Sequence, residues 1–135
     1  MSKSNTYEND LQLFTFNNTA VSGIGTTLYV ALHTADPGEG GDQTTSEAAY
    51  TSYARVGVAR TSGGFTVAGN TTTNTAEILF PTCTGGSETI THASIGVNTS
   101  GSSKILYKGA LSSSLAVSTN IAPRFAISAV SVIED

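Results

Sequence analysis

The chain has 135 residues, with 6 basic and 10 acidic side chains, a formal net charge of −4, one cysteine and no tryptophan. This length predicts a single domain over residues 1–135. So few basic residues exclude a nucleic-acid binder, the lone cysteine excludes an intrachain disulfide, and no apolar run approaches the roughly 20 residues of a membrane span.

The first predicted element is an amphipathic helix over residues 4–17. Tyr7, Leu11 and Phe14 fall at i, i+4 and i+7, the spacing of one helical stripe. A serine, an asparagine and a threonine at positions 4–6 are suitable N-caps. The stripe either covers one face or end of the fold as ordinary core or docks on a neighbouring subunit.

From Gly23 onward the apolar residues follow the two-residue period of β-strands. The clearest strand covers residues 27–34, where Leu28, Val30 and Leu32 face one way. Tyr29, Ala31 and His33 face the other way. Further strands are predicted over residues 55–60, 64–67, 74–80, 90–98, 104–111 and 121–133.

Two of these later strands carry specific predictions about their buried faces. In residues 74–80, the side chains expected to point inward are Ala76, Ile78 and Phe80. In residues 121–133, those expected to share one face are Ile121, Phe125, Ile127 and Ile133. Clusters of glycine and hydroxyl residues separate the strands, a pattern typical of sandwiches and barrels. The sequence therefore predicts an all-β fold, a single β-sandwich or jelly-roll-like domain with a short N-terminal helix.

One long loop, residues 35–53, interrupts the series of strands. It holds 4 of the 10 acidic residues and 2 of the 5 tyrosines, Tyr50 and Tyr53. Loops of this length in compact domains are usually functional or disordered. A glycine-rich loop with projecting tyrosines is well suited to binding a partner, because tyrosine offers a large contact area at low entropic cost.

The residues capable of catalysis are few. Cys83 lies beside a turn with no basic neighbour to lower its pKa, which indicates a semi-buried structural thiol. His33 and His92 occupy strand positions and are expected at the sheet surface, without partners at the spacing of a metal site. We therefore expect no enzyme activity, no cofactor and no metal site.

The charged residues in the long loop and on the predicted strands can be interpreted as solvated or as functional. Asp36, Glu39 and Asp42 are spaced by three, which differs from the EF-hand pattern and indicates a solvated acidic loop. The three arginines at strand positions either lie at solvated strand edges or faces, or form ion pairs across a subunit interface. They are Arg55, Arg60 and Arg124.

Residues 26–39 read TTLYVALHTADPGE and resemble the T-x-Y-V-A-L-H-T-A-D-P-G-E segment of small virion proteins of tailed bacteriophages. In that family a Tyr/Leu-rich helix precedes the strand and a Y-A-R-V strand follows a Gly/Thr loop. This chain has both parts in the same order, at residues 7–16 and 53–56. The resemblance covers most of the chain, and such proteins are often labelled tail-fibre or structural proteins.

The resemblance implies a capsid decoration (cement) protein that binds the outside of the head shell and bridges capsid subunits. Its implied partners are the major capsid protein and further copies of itself, commonly as a homotrimer, with no catalytic residue and no metal ligand carried over. A long fibre is excluded, because the chain has neither the length nor the repeats of a shaft. The alternative is a tail-associated or receptor-binding module that contacts the host surface.

These implications place the protein on the capsid exterior of the virion after synthesis in the host cytoplasm, with neither membrane nor nucleic acid as a partner. Glu8 and Asp10 interrupt the stretch in which a signal peptide would need an apolar run. We expect contacts with partners at the helix and the long loop. The residues predicted at this interface are Tyr7, Leu11, Phe14, Asp36, Glu39, Tyr50, Tyr53 and Arg55.

Overall fold

The computed structural model describes residues 1–135 and contains one helix and ten strands. The helix α1 spans Asn5–Asn17, as predicted, and it lacks the length and apolar character that a membrane crossing requires. The strands are β1 (Ser2–Lys3), β2 (Thr27–His33), β3 (Val56–Ala59), β4 (Phe65–Ala68), β5 (Thr71–Asn74), β6 (Ile78–Leu79), β7 (Glu88–Gly96), β8 (Ile105–Val117), β9 (Arg124–Phe125) and β10 (Ser131–Ile133).

Five strands form the larger sheet, in the order β1-β8-β7-β2-β3, and every neighbouring pair is antiparallel. Within it, Val30 of β2 lies between Ile95 of β7 and Val56 of β3. Four consecutive β2 residues, 30–33, are buried. A central strand covered on both faces loses the contrast between an apolar and a polar side, so the alternation in β2 correctly predicted a strand but not an exposed face.

Two smaller sheets, β10-β5-β4 and β6-β9, pack against one face of the larger sheet. Val30, Leu32 and Ile95 of the larger sheet form a single core with Ile78 and Val132 of the smaller ones. This arrangement confirms the predicted all-β, sandwich-like fold. The side chains of the core come from almost the whole length of the chain, from β2 to β10.

The strand predicted over residues 74–80 is wrong in its extent. β5 ends at Asn74, which is fully buried and donates from its side-chain amide to the carbonyls of Ala76 and Ala126, both at 2.8 Å. These bonds hold a turn, so Ala76 is exposed rather than directed inward. Ile78 and Phe80 are buried as predicted, because the chain re-enters the core beyond the turn.

The final strand predicted over residues 121–133 is also interrupted. Its middle forms a turn in which Ser128 has a φ of 62° and the Ala129 amide donates to the carbonyl of Ala126 at 3.0 Å. The turn shifts which side chains face inward, so Val130 and Val132 enter the core. The predicted shared face is wrong for three residues that lie partly or mostly in solvent, namely Ile121, Ile127 and Ile133.

The loop over residues 35–53 contains no strand of any sheet, as predicted, but it is pinned to the sandwich. The amide of Ala48 donates to the carbonyl of Leu32 at 2.8 Å, and the amide of Gln43 donates to the carbonyl of Ser103 at 3.0 Å. Gln43 itself is fully buried. The loop therefore covers the second face of β2 through Gln43 and Thr45, and it enters the apolar core through Ala48 and Tyr50.

Candidate interaction surfaces

The start of α1 is anchored to the larger sheet through Ser4. Its hydroxyl accepts from the amide of Tyr7 at 3.2 Å, as an N-cap, and donates to the carbonyl of Ile105 in β8. The amide of Asn5 donates to the carbonyl of Glu39 at 3.0 Å. The helix therefore begins where β8 and the long loop meet.

Beyond its first turns, α1 makes little contact with the rest of the chain. Tyr7 and Leu11 are half-buried, and the ring of Tyr7 meets Tyr107 edge-on with centroids 5.4 Å apart. Phe14, the third residue of the predicted stripe, is 60% exposed, and no helical residue is buried. The helix therefore lies beside the sandwich and contributes nothing to its fully buried core.

Asp36 and Glu39 are exposed on the segment of the loop that faces the start of the helix. The carboxylate of Asp36 accepts from the amide of Gly38 at 2.9 Å and pairs with the ammonium of Lys108 at 3.1 Å. The Gly38 amide and, second, Lys108 hold the pKa of Asp36 below its ordinary value. No three His, Cys, Asp or Glu side chains of the chain come together as metal ligands.

Tyr50 and Tyr53 do not project from the loop, so that prediction is wrong. Tyr50 is 4% exposed and donates its hydroxyl to the carbonyl of Pro81 at 2.8 Å, while burial raises its pKa to about 12. The ring of Tyr53 stacks on Phe80, and its hydroxyl donates to Glu47 at 3.0 Å. Both rings bury a large apolar area, which holds the loop against the core.

Arg55 is also unavailable as a surface contact. Its guanidinium makes two hydrogen bonds to the carboxylate of Glu47, at 2.7 and 2.9 Å. It also donates to the carbonyls of Asn98 at 3.1 Å and Gly101 at 2.7 Å, and its side chain is 2% exposed. The interface prediction is corrected here: the ion pair is formed within the chain and joins the long loop to the turn between β7 and β8.

The prediction that His33 lies at the sheet surface is wrong, because the loop covers it completely. Its Nδ1–H donates to the carbonyl of Thr45 at 2.9 Å, which leaves Nε2 to accept from the hydroxyl of Ser94 at 2.7 Å. Burial lowers the pKa of His33. The amide nitrogen of Gln43 donates to the same hydroxyl at 3.2 Å and to the carbonyl of Tyr29 at 2.9 Å.

An apolar-floored cleft of about 600 Å³ opens between the larger sheet and the segment of residues 123–131 that packs against it. Its floor includes Leu32 and Ile90, and its rim carries Arg124. The cleft lies where β8 bulges, because the pairing of His92 with Ala110 is followed by that of Ile90 with Leu115. Sequence reasoning missed this surface because a bulge depends on pairing between distant strands, and the triple serine at 112–114 was its only local signal.

The comparison with protein families places almost the whole chain in one family. A family model described as Podophage GP4 fiber I protein gp80 matches residues 2–133. No curated protein matches the chain. The match takes in α1 and every strand, and it confirms the expected bacteriophage virion family, whereas a position on the head is not part of its description. The chain therefore belongs to the family described as Podophage GP4 fiber I protein gp80 and is a structural protein of a phage virion.

Proposed function

We propose that the protein is a small structural module of a phage tail-fibre apparatus that joins other virion proteins through exposed apolar side chains. The observation that carries the proposal is the fibre-family match over residues 2–133. A joining role, rather than a shaft, is supported by the absence of an internal repeat within these 135 residues.

The distribution of exposed apolar residues supports contact with other virion proteins. Phe14 and Phe16 are exposed on α1, and five aliphatic residues are exposed on or beside the two smaller sheets. A receptor-binding tip would instead collect its aromatic residues at one end, yet the two loop tyrosines are held by the core. The five aliphatic residues are Val67, Leu79, Ile121, Ile127 and Ile133.

A role without catalysis is part of this proposal. Cys83 is fully buried, and its thiol donates to the carbonyl of Gly85 at 3.2 Å. Neither Cys83 nor a histidine lines the cleft of about 600 Å³ or a second cleft of about 220 Å³. The Cys83 thiol and the His33 imidazole are used instead in hydrogen bonds that hold the fold.

Capsid decoration is the second candidate, with the major capsid protein and a homotrimer as implied partners. The observation in its favour is the composition, with 12% charged residues and 38 serine and threonine residues in total. Hydroxyl-rich, weakly charged surfaces suit closely packed interfaces that depend little on salt. Many copies on an assembled shell would stabilise it by mass action.

The copy number per virion, measured by quantitative mass spectrometry against the major capsid protein, separates the two candidates. We expect a few to a few tens of copies, with gold-labelled antibody on the tail. Hundreds of copies with label on the head would contradict the fibre role and support decoration. Absence from purified particles would contradict both.

A further inference from the structure

The segment of the long loop over residues 42–48, which we name the strap, closes over the imidazole of His33. At one end the amide of Gln43 donates to the carbonyl of Ser103 at 3.0 Å, and at the other the amide of Ala48 donates to β2 at 2.8 Å. Ala48 is the only apolar residue of the strap. Segments with few buried apolar contacts open at a low free-energy cost, so hydrogen bonds decide whether the strap stays closed.

The imidazole of His33 completes its hydrogen bonds only in the neutral form. Its Nδ1–H donates to the carbonyl of Thr45 in the strap at 2.9 Å, and a carbonyl only accepts, so Nδ1 keeps its proton in both charge states. Its Nε2 lies 2.7 Å from the hydroxyl of Ser94, which donates to it while the imidazole is neutral. A proton on Nε2 makes that nitrogen a donor, and the Ser94 hydroxyl then needs another acceptor for its own proton.

The closed strap offers the Ser94 hydroxyl no such acceptor. Its other hydrogen bond is to the amide nitrogen of Gln43 at 3.2 Å, which is a donor and also donates to the carbonyl of Tyr29 at 2.9 Å. A turned carboxamide would present its oxygen to Ser94, but the same oxygen would then meet the Tyr29 carbonyl. The side chains of His33, Gln43 and Ser94 are fully buried. Protonation of the closed state therefore leaves a buried donor unsatisfied, which is unfavourable.

The charged groups around this imidazole do not remove the conflict. Glu47 of the strap favours the added proton, but its carboxylate already accepts two hydrogen bonds from Arg55, at 2.7 and 2.9 Å. Arg55 and His92 both disfavour the proton. Asp36 and Lys108, near His92, pair with each other at 3.1 Å. Burial is the largest influence, and it lowers the pKa of the imidazole.

We propose that the strap is a proton-sensitive element that opens when His33 takes up a proton, while the two layers of the sandwich stay packed. In the open state water reaches both imidazole nitrogens and the Ser94 hydroxyl, so every donor again has an acceptor. Opening also uncovers the face of β2 and β7 that Gln43 covers in the closed state. Protonation of histidine is a common trigger for such a change near neutral pH.

Strap opening is a property of the single chain and goes beyond the proposed joining role. Native-state amide hydrogen exchange of the purified full chain, resolved by NMR, measures it. The reporters are the amides of Gln43 and Ala48 in the strap. The reference amides are those of Phe80 and Cys83, which donate at 2.9 and 2.8 Å to the segment that leads into β9.

We expect the opening constant of the strap, corrected for intrinsic exchange, to rise by up to about tenfold per pH unit below about pH 6.5, because opening takes up one proton. The range ends at about pH 5, where the lowered pKa values of Asp36 and Asp42 keep both carboxylates ionised. His33→Gln is expected to abolish the rise, and His92→Gln, at the paired position of β7, to leave it unchanged. Low urea concentrations are expected to speed exchange of the reference amides but not of the strap amides, because local opening exposes little surface.

A measurement on the unsubstituted chain covers the case in which His33→Gln does not fold. NMR of the imidazole nitrogens is expected to show His33 neutral, with its proton on Nδ1, while the strap is closed. Protonation of Nε2 is expected to follow the same pH dependence as the opening of the strap amides.

An opening constant that does not change with pH, or a rise that persists in folded His33→Gln, would overturn the proposal. An equal response of strap and reference amides to urea would also overturn it, since the strap would then open only with the whole fold. Protonation of His33 with the strap amides still fully protected would contradict the coupling between the two.

Discussion

Arg55 and its neighbours show how single residues hold the long loop in place. The Arg55 guanidinium and the Glu47 carboxylate face each other with two hydrogen bonds, and the Tyr53 hydroxyl donates to the same carboxylate. A paired charge of this kind is weak evidence for net stability, but removing one partner leaves the other uncompensated. The loop therefore depends on the pair remaining complete.

We expect Arg55→Met to lower the free energy of unfolding by roughly 3–5 kcal/mol, because it leaves the Glu47 carboxylate, with a side chain 18% exposed, without its cation. Urea unfolding measures the effect, and Arg60→Met, at an exposed arginine, is the control. Introducing Glu47→Gln into the Arg55→Met variant is expected to lower the free energy of unfolding much less than Glu47→Gln lowers it in the wild type. Additive effects of the two changes would contradict the pairing.

His33 predicts a dependence of stability on pH. Burial lowers its folded pKa against the opposing effects of the Thr45 carbonyl and the Glu47 carboxylate, and Arg55 and His92 lower it further. At pH values between that pKa and the ordinary value of about 6.5, the imidazole binds a proton more readily in the unfolded chain than in the folded one. The free energy of unfolding should therefore fall as the pH decreases from about 6.5, by at most about 1.4 kcal/mol per pH unit for one proton.

Urea unfolding at a series of pH values measures this slope, which His33→Gln should remove and His92→Gln should leave in place. A slope that survives in His33→Gln would contradict the assignment. The carboxylates contribute in a separate window: the pKa values of Asp36, Asp42 and Glu134 are lowered. Their contribution is complete above the ordinary carboxyl range of about 4 and is lost at lower pH.

The larger sheet contacts the long loop where Gly96 of β7 closely approaches the side chain of Gln43. A Cβ at position 96 would collide with the carboxamide of Gln43, which is fully buried and has one oxygen without a partner. β7 therefore needs a glycine there so that Gln43 can reach the carbonyl of Tyr29. The strand and the loop determine each other's position.

We expect Gly96→Ala to destabilise the protein by about 1–3 kcal/mol, because the added methyl overpacks the contact with Gln43. Thermal and urea unfolding measure it, with Gly40→Ala as the control, since a Cβ at Gly40 meets no atom within 4 Å. The double variant Gly96→Ala with Gln43→Ala is expected to lose less free energy of unfolding than the two single variants lose together. Strict additivity would mean that the two residues do not compete for space.

At the scale of the whole molecule, one core joins both layers and the loop. Cys83 is fully buried in this core, together with Tyr50 of the loop, Phe80, which directly follows β6, and Ile90 of β7. A thiol in this position becomes reachable only when the layers separate. Its reactivity is therefore a probe of the cooperative opening of the fold.

We expect Cys83 to be unreactive towards a thiol reagent in native buffer, and its labelling in urea to follow the same transition as circular dichroism. The measurement is the labelled fraction by mass spectrometry at each urea concentration. Fast labelling of the native protein would contradict the prediction and indicate local opening of residues 83–86. Labelling at urea concentrations too low to change the circular dichroism would likewise indicate local opening of residues 83–86.

The sequence by itself determined α1, the central strand β2, the position of the long loop and the all-β class, because these depend on local periodicity, capping and turn residues. The virion family likewise followed from contiguous motifs around residues 26–39 and 53–56. These signals are carried by neighbouring residues, so no knowledge of the packing was needed to read them.

Only the tertiary structure decided which side chains face solvent. The loop that directly follows β2 folds back over that strand and buries His33, and the Glu47 carboxylate of the loop pairs with the buried Arg55. Tyr50 and Tyr53 of the same loop pack against the core, and apolar burial favours that closure. The cleft arises from a bulge between β7 and β8, and the exposure of Phe16 arises because α1 lies beside the sheet. Exposure depends on contacts between residues far apart in the chain, and local patterns carry no record of those contacts.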